Sequence, residues 1–218
     1  MATRRETRRE ALRANLIEAA ARRIAEGGLA ALRARDVASD AGCALGGIYT
    51  AFKDLDDLVL HVNARTLERM GDRLAEAARN RRGGAALKAL ATGYARFARQ
   101  NRNLWDALFD HRMADGGPSP DWLLSGHLAL LEYLTAPLAA IHPELSGKAL
   151  QLRARSYFAA VHGMVSMSLQ RRYLGLPEDA LEPELEAFVD VVAGGARRGA
   201  RRGARRGALG DRTRPAGT

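Results

Sequence analysis

Apolar residues recur at three- and four-residue intervals along most of the chain, which is the signature of helices with one buried face. From Glu6 to Glu26 the residues Leu12, Leu16, Ile17, Ala20 and Ile24 share such a face, and Gly27-Gly28 ends the pattern. The next stretch, RARDVASDAGCALGGIYTAF from Arg33 to Phe52, reads as two short helices about a tight turn. Ala38 is small where one helix must cross the other, and Gly42 accepts a positive φ without a Cβ penalty. Ile48 returns an apolar anchor to a core shared with Val37 and Phe52. The opposite face of the second helix carries Leu45, Gly46, Tyr49 and Thr50, a surface suited to reading a major groove. A helical hairpin closing the end of a bundle would carry a similar pattern.

After Phe52 the period continues. Asp54, with Asp57 three residues on, forms a weak capping box ahead of Leu58, Val59, Val62, Leu67, Met70 and Leu74. Arg81-Arg82-Gly83-Gly84 is the clearest break, and five helical segments are predicted beyond it. They run from Ala85 to Gln100, from Asn103 to His111, from Ser119-Pro120-Asp121 towards Pro137, from Ser146 to Tyr173 and from Glu182 to Val192. Pro137 is expected to kink or end its helix, because proline lacks the amide proton. Alternation of period two is nearly absent. The expected fold is all-α with about nine helices: a head over 1–53, a body over 54–194 joined through 54–80, and a tail over 195–218. The tail repeats Arg-Arg-Gly-Ala without an apolar face and is expected to be disordered.

Charge sharpens this division. The net +9 separates into +4 over 1–53, −2 over 54–194 and +7 over 195–218, so the ends are basic and the middle is not. Arg4, Arg5, Arg8 and Arg9 read as a basic arm before the first helix, either solvated or resting on a nucleic-acid backbone. No run approaches the roughly 20 uninterrupted apolar residues of a membrane span, and the charged start has no apolar signal region after it. The expected compartment is the cytoplasm, where the single Cys43 would stay reduced. Enzyme chemistry is not expected. There is no Gly-x-Ser-x-Gly elbow, phosphate loop or dinucleotide fingerprint, and His61, His111, His127, His142 and His162 form no metal-binding pair at i, i+3 or i+4. No cofactor and no metal are expected.

Residues 10 to 60 resemble the DNA-binding domain of TetR-family transcriptional regulators. The matching features are Glu26-Gly27-Gly28-Leu29, Arg35-Asp36-Val37-Ala38, Ala41-Gly42, Gly46-Gly47-Ile48-Tyr49, Phe52-Lys53 and Leu58, with the Gly-x-x-Tyr-x-x-Phe portion the most specific. The resemblance implies double-stranded operator DNA as partner and contacts from Arg33, Arg35, Ala44, Leu45, Gly46, Gly47, Tyr49, Thr50 and Lys53. Two departures stand out. Arg33 and Ala44 occupy positions where the family usually has Ser or Thr, and Leu45 replaces a common basic residue, leaving an apolar side chain that can meet a thymine methyl.

Further along, Val161-His162-Gly163 resembles the Trp-His-Gly element of one branch of the family. The resemblance implies a homodimer joined by the last two helices of each subunit, with Phe158, Val161, Val165, Leu169, Leu185, Phe188, Val189 and Val192 as contacts. It also implies that the helix after Asp54 connects head to body and sets the spacing of the heads. Tyr94, Phe97, Trp105, Phe109, Met113 and Trp122, together with Tyr157, His162, Met164 and Met167, suit a pocket for a mostly apolar small-molecule effector. Aromatics at helical spacing equally build core. The expected function is a ligand-responsive regulator, acting as a repressor. The alternative is a non-enzymatic architectural or RNA-binding protein acting through the arginine-rich tail.

Overall fold

The first helix begins two residues earlier than its apolar stripe requires, because Thr3 and Glu6 cap each other. The Glu6 amide donates to Thr3 Oγ1 at 3.3 Å and the Thr3 amide donates to Glu6 Oε2 at 2.6 Å, satisfying two orphan amides reciprocally. These hydrogen bonds also hold the Glu6 carboxyl below its usual range. Arg4, Arg5, Arg8 and Arg9, read from the sequence as an arm ahead of the helix, therefore lie within its opening turns. This helix, α1, spans Arg4–Gly27 and ends where Gly28 adopts φ +71°.

The structure, a computed structural model, describes residues 3–114, 116–170 and 174–210, and the backbone alone over 195–210. After a short 3-10 turn at Leu29–Ala31 come α2 (Ala34–Asp40), α3 (Gly46–Ala51), α4 (Leu55–Ala78), α5 (Gly83–Gln100) and α6 (Arg102–Asp110). Then follow α7 (Asp121–Ile141), α8 (Gly147–Leu169) and α9 (Glu178–Gly210). Nine α-helices and no strand occur among the described residues, so the all-α expectation holds.

Three boundaries differ from the sequence reading. Pro137 neither ends α7 nor stops its last turn, since a proline inside a helix removes one hydrogen bond and the flanking ladder continues to Ile141. The last helix starts at Glu178 rather than Glu182, and its backbone continues to Gly210 instead of stopping at Val192. Alanine and arginine are strong helix formers, so the Arg-Arg-Gly-Ala repeat can continue a helix although it lacks an apolar face. Residues 211–218 of the expected tail, and Tyr173 at the expected end of α8, lie outside the described residues. By length and a mean hydropathy of 1.3, α7 is also apolar enough to cross a bilayer.

The chain divides into two compact units, 1–73 with 96–130, and 74–95 with 131–218. In the first, Leu16, Ala19, Ala20 and Ile24 of α1 pack with Val37, Ala38, Ile48, Phe52, Leu58, Val62 and Leu104, so the start of α4 belongs to the core of the head. That is why the unit does not stop at residue 53. Asn63 Nδ2 donates to the Ala107 carbonyl at 3.0 Å and Asn103 Nδ2 to the Ala25 carbonyl at 2.8 Å, pinning α6 to α4 and to α1. In the second unit α8 contacts α9, and Val161, Val165 and Leu169 of α8 and Leu185 and Val189 of α9 are buried. The Tyr157 hydroxyl donates to the Leu87 carbonyl at 3.0 Å, and burial pushes its ionisation well above the ordinary phenol value.

Candidate nucleic-acid interface

The turn between α2 and α3 follows from its residues. Gly42 sits at φ +68°, a conformation that costs any residue with a Cβ about 1 kcal/mol, and no neighbour lies within 4 Å of where that Cβ would point. The constraint at Gly42 is therefore conformational and not steric. Gly47 differs. A Cβ there would come within 3.0 Å of Cys43 Sγ, so Gly47 lets α3 close on the turn. The sequence assigned Gly47 to DNA contact, and the structure places it half-buried against the thiol.

Beneath this, Val37, Ala38 and Ile48 are buried as the spacing predicts. Arg23 of α1 fastens α2 from outside. Its Nε and Nη2 donate to both Asp40 carboxylate oxygens, at 2.6 and 2.9 Å, and Asp36 lies 3.5 Å from Nη1. That fork geometry holds the Asp40 carboxyl below its usual range. The underside of the motif is thus fixed twice, by apolar packing and by a bidentate ion pair.

The outward face is left bare. Tyr49 is 58% exposed and Leu45 is 41% exposed, unusual values for large apolar side chains. Arg33, Arg35, Ala44, Gly46, Thr50 and Lys53 are exposed around them. Arg33 stands at the N-cap of α2 and makes no side-chain cap hydrogen bond, as its departure from Ser or Thr anticipates; the N-cap of α3 falls on Leu45, one residue after the expected Ala44, and it too makes none. Thr50 spends its hydroxyl on the Gly46 carbonyl at 3.0 Å, which leaves its methyl and an oxygen lone pair outward. Lys53 donates its amide to Asp57 at 3.0 Å, and its exposed ammonium lies 3.9 Å from Asp54 Oδ2.

A cleft of about 780 Å³ opens beside this face. Arg5, Arg8, Arg9 and Asn15 of α1 form one wall, and Ala41, Gly42, Cys43 and Thr50 the other. The charge is positive and the walls are helical, an arrangement suited to a phosphate backbone running past the motif. The available signal for this wall was the Thr3-x-x-Glu6 capping box, which makes the arginines helical. Arg13 was missed altogether: it reaches from α1 to the carbonyl of Ala51, the last residue of α3.

The residues proposed for an effector pocket fall in both units. Within the first, Phe97 and Trp105 are buried, Phe109 and Met113 are half-buried and Trp122 is 45% exposed, with Trp105 and Phe109 in ring contact at 5.2 Å. Within the second, Tyr94 and Tyr157 are buried while His162, Met164 and Met167 are half-buried. There the Tyr94 hydroxyl lies 2.8 Å from His162 Nδ1, and Phe158 stacks on the imidazole at 5.6 Å. Phe188 contacts the Tyr157 ring at 5.9 Å.

Of the residues expected at a dimer interface, Val161, Val165, Leu169, Leu185 and Val189 are already buried within the single chain, in which α8 contacts α9. Phe158, Phe188 and Val192 remain half-buried. A stripe at helical spacing shows that a face is buried, but it does not say by which molecule.

Two family models match the chain. Residues 16–62 match the bacterial regulatory proteins of the tetR family, and residues 87–192 match the tetracyclin repressor-like C-terminal domain. No significant match occurs among curated proteins. Among solved structures, a protein of unknown function from Rhodococcus sp. RHA1 superposes with a TM-score of 0.66 at 20% identity, covering 82% of this chain and 93% of its own. The transcriptional regulator FadR from Bacillus subtilis, in complex with stearoyl-CoA, gives 0.60 at 18% identity, covering 81% and 96%. A TetR family transcription regulator from Marinobacter aquaeolei VT8 gives 0.59 at 16% identity, covering 84% and 96%. With both its reading head and its helical body matched in order along one chain, the protein belongs to the TetR family of DNA-binding transcriptional regulators.

Proposed function

We propose that the chain is a cytoplasmic, dimeric repressor that leaves its operator when a small, mostly apolar ligand binds its helical body. The observation that carries the reading is the bare face of α3: Tyr49 and Leu45 project over a rigid underside where a soluble monomer would ordinarily carry polar groups. Arg33, Arg35, Ala44, Gly46, Thr50 and Lys53 complete the contact surface. Each head reads few base pairs, so two heads on half-sites about 34 Å apart, or a multiple of that, supply the specificity one lacks.

The partner face is drawn from what α8 and α9 leave uncovered. Leu152, Ser156 and Ala159 on α8, with Ala187 and Val191 on α9, are exposed, and Leu152 and Val191 are 64% and 73% accessible. Small residues between apolar ones let two helix pairs approach closely. Replacing Val191 with arginine is expected to turn the dimer into monomer at micromolar concentration, as read by sedimentation velocity. Unchanged dimer mass would move the interface elsewhere.

Release works by population shift. A ligand that fits one arrangement of the body better than another moves the heads off their matched spacing, and each tenfold loss of DNA affinity corresponds to about 1.4 kcal/mol of differential binding. Tyr94, Phe158 and His162 supply apolar walls with a hydrogen-bonding edge, a composition suited to a mostly hydrocarbon ligand carrying one polar group. Because one structural relative holds stearoyl-CoA, long-chain acyl-CoA thioesters and free fatty acids are the first probes. Fluorescence anisotropy of a labelled operator should fall as one of them is titrated, with operator affinity reduced about fivefold to 150-fold. Affinity unchanged across the panel would remove this ligand class.

A further inference from the structure

We propose that Arg13 and His61 form a positioning pair that fixes the C-terminal end of α3, and that the pair works only while His61 is neutral. The inference rests on the reading of α3 as the helix that meets DNA. That helix has six residues and no side-chain cap at its start, so a grip on its far end adds to the packing of Ile48 and Ala51 in holding it.

Arg13 supplies the grip. Its Nη1 donates to the carbonyl of Ala51, and its guanidinium carbon lies 4.3 Å above the Phe52 ring. Its Nη2 is 2.8 Å from His61 Nε2. Arginine can only donate, so Nε2 must accept. On the other side of the ring, Nδ1 lies 2.8 Å from the Asp57 carbonyl oxygen, which can only accept, so Nδ1 carries the proton. The two contacts together require one neutral tautomer of His61.

A second proton would place an N–H on Nε2 facing the guanidinium, donor against donor and cation against cation. The groups around the imidazole decide how that conflict resolves. From α1 comes Arg13; from α4 comes Asp57, whose Oδ1 is 3.4 Å from Nδ1. Phe52 and Trp122 add uncharged rings at 5.3 and 5.1 Å. Asp57 favours the imidazolium and is itself held by the Lys53 amide at 3.0 Å, so Arg13 is the group that must leave. The released state binds one more proton than the gripped state, so acidification favours it. Releasing Arg13 frees the Ala51 carbonyl and uncovers Phe52, loosening the seat of Tyr49.

The test uses an operator recovered from random DNA by the full-length protein. Specific affinity, taken relative to scrambled DNA at about 150 mM salt, is measured between about pH 5.5 and pH 8. The wild type should lose about tenfold in specific over non-specific binding across that window. His61→Gln places an amide oxygen where Nε2 accepts and cannot titrate there, so it should match the wild type near pH 8 and keep its affinity in acid. His61→Phe should bind weakly at every pH, with faster amide exchange at Phe52, whose N–H donates to the Ile48 carbonyl at 2.7 Å. A His61→Gln profile parallel to that of the wild type would overturn the pair, as would a His61→Phe protein that binds normally near pH 8. Recovery of no operator would overturn the DNA reading itself, an outcome distinct from either.

Discussion

Replacing Trp105 with alanine should destabilise the unit that carries the reading head by about 3–5 kcal/mol, the largest single-residue loss expected in this chain. Trp105 is 1% exposed, and its ring packs on Phe109 at 5.2 Å. Its neighbours Leu104 and Ala107 on α6 face the same core as Leu16 and Ile24 of α1. Truncation would leave a cavity that rigid helices cannot collapse into, and the cost scales with the volume left empty. For a chain of this size each kcal/mol moves the melting midpoint by about 2–4 °C, so a fall of roughly 6–20 °C is expected by calorimetry. Operator binding should survive at low temperature and disappear with the transition. A shift of under about 2 °C would mean that the Trp105 ring does not contribute to the packing of this unit.

The second large effect lies on the surface. Leu45→Ala with Tyr49→Ala should leave stability within about 0.5 kcal/mol of the parent, because both side chains stand in solvent. Good base contacts are worth about 1–3 kcal/mol each, and a dimer loses them in both heads. Operator affinity should therefore drop by about a thousandfold or more, while binding to unrelated DNA, set by phosphate contacts, stays nearly the same. Equal loss on specific and unrelated DNA would mean that this face does not read sequence. Loss of stability instead would mean that Tyr49 packs within the fold.

These expectations follow from how much of the head could be read from its residues. Ala38, Gly42 and Ile48 each solve a local problem, and local problems are visible in sequence; all three sit as predicted. The arm at Arg4 to Arg9 was misplaced because a basic run attracts notice before the Thr3 and Glu6 pair that caps it. Arg13 was not legible. Its partners, Ala51 and His61, lie 38 and 48 residues away, and no periodicity links a lone cation to a distant carbonyl or imidazole.

The body was legible as helices but not as contacts. Val165 and Val189 were recognised as buried, yet the same stripe serves a neighbouring helix or a second subunit equally well, and here both are buried within one chain. The compact unit around the head extends past residue 53 for a related reason. Leu58 and Val62 belong to a helix that starts after the motif, but their apolar surface is spent on the head. At Pro137 the sequence left a kink or an end open, and α7 continues to Ile141.

The most direct test of the whole account is binding of the purified protein to the DNA upstream of its own gene, against scrambled DNA of equal length, at about 150 mM salt where non-specific phosphate contacts are weakened. A preference of about a thousandfold, stoichiometric with two chains per site, is the expected result. Equal affinity for both, repeated on sites selected genome-wide and unchanged by Leu45→Ala with Tyr49→Ala, would contradict the claim that α3 reads an operator.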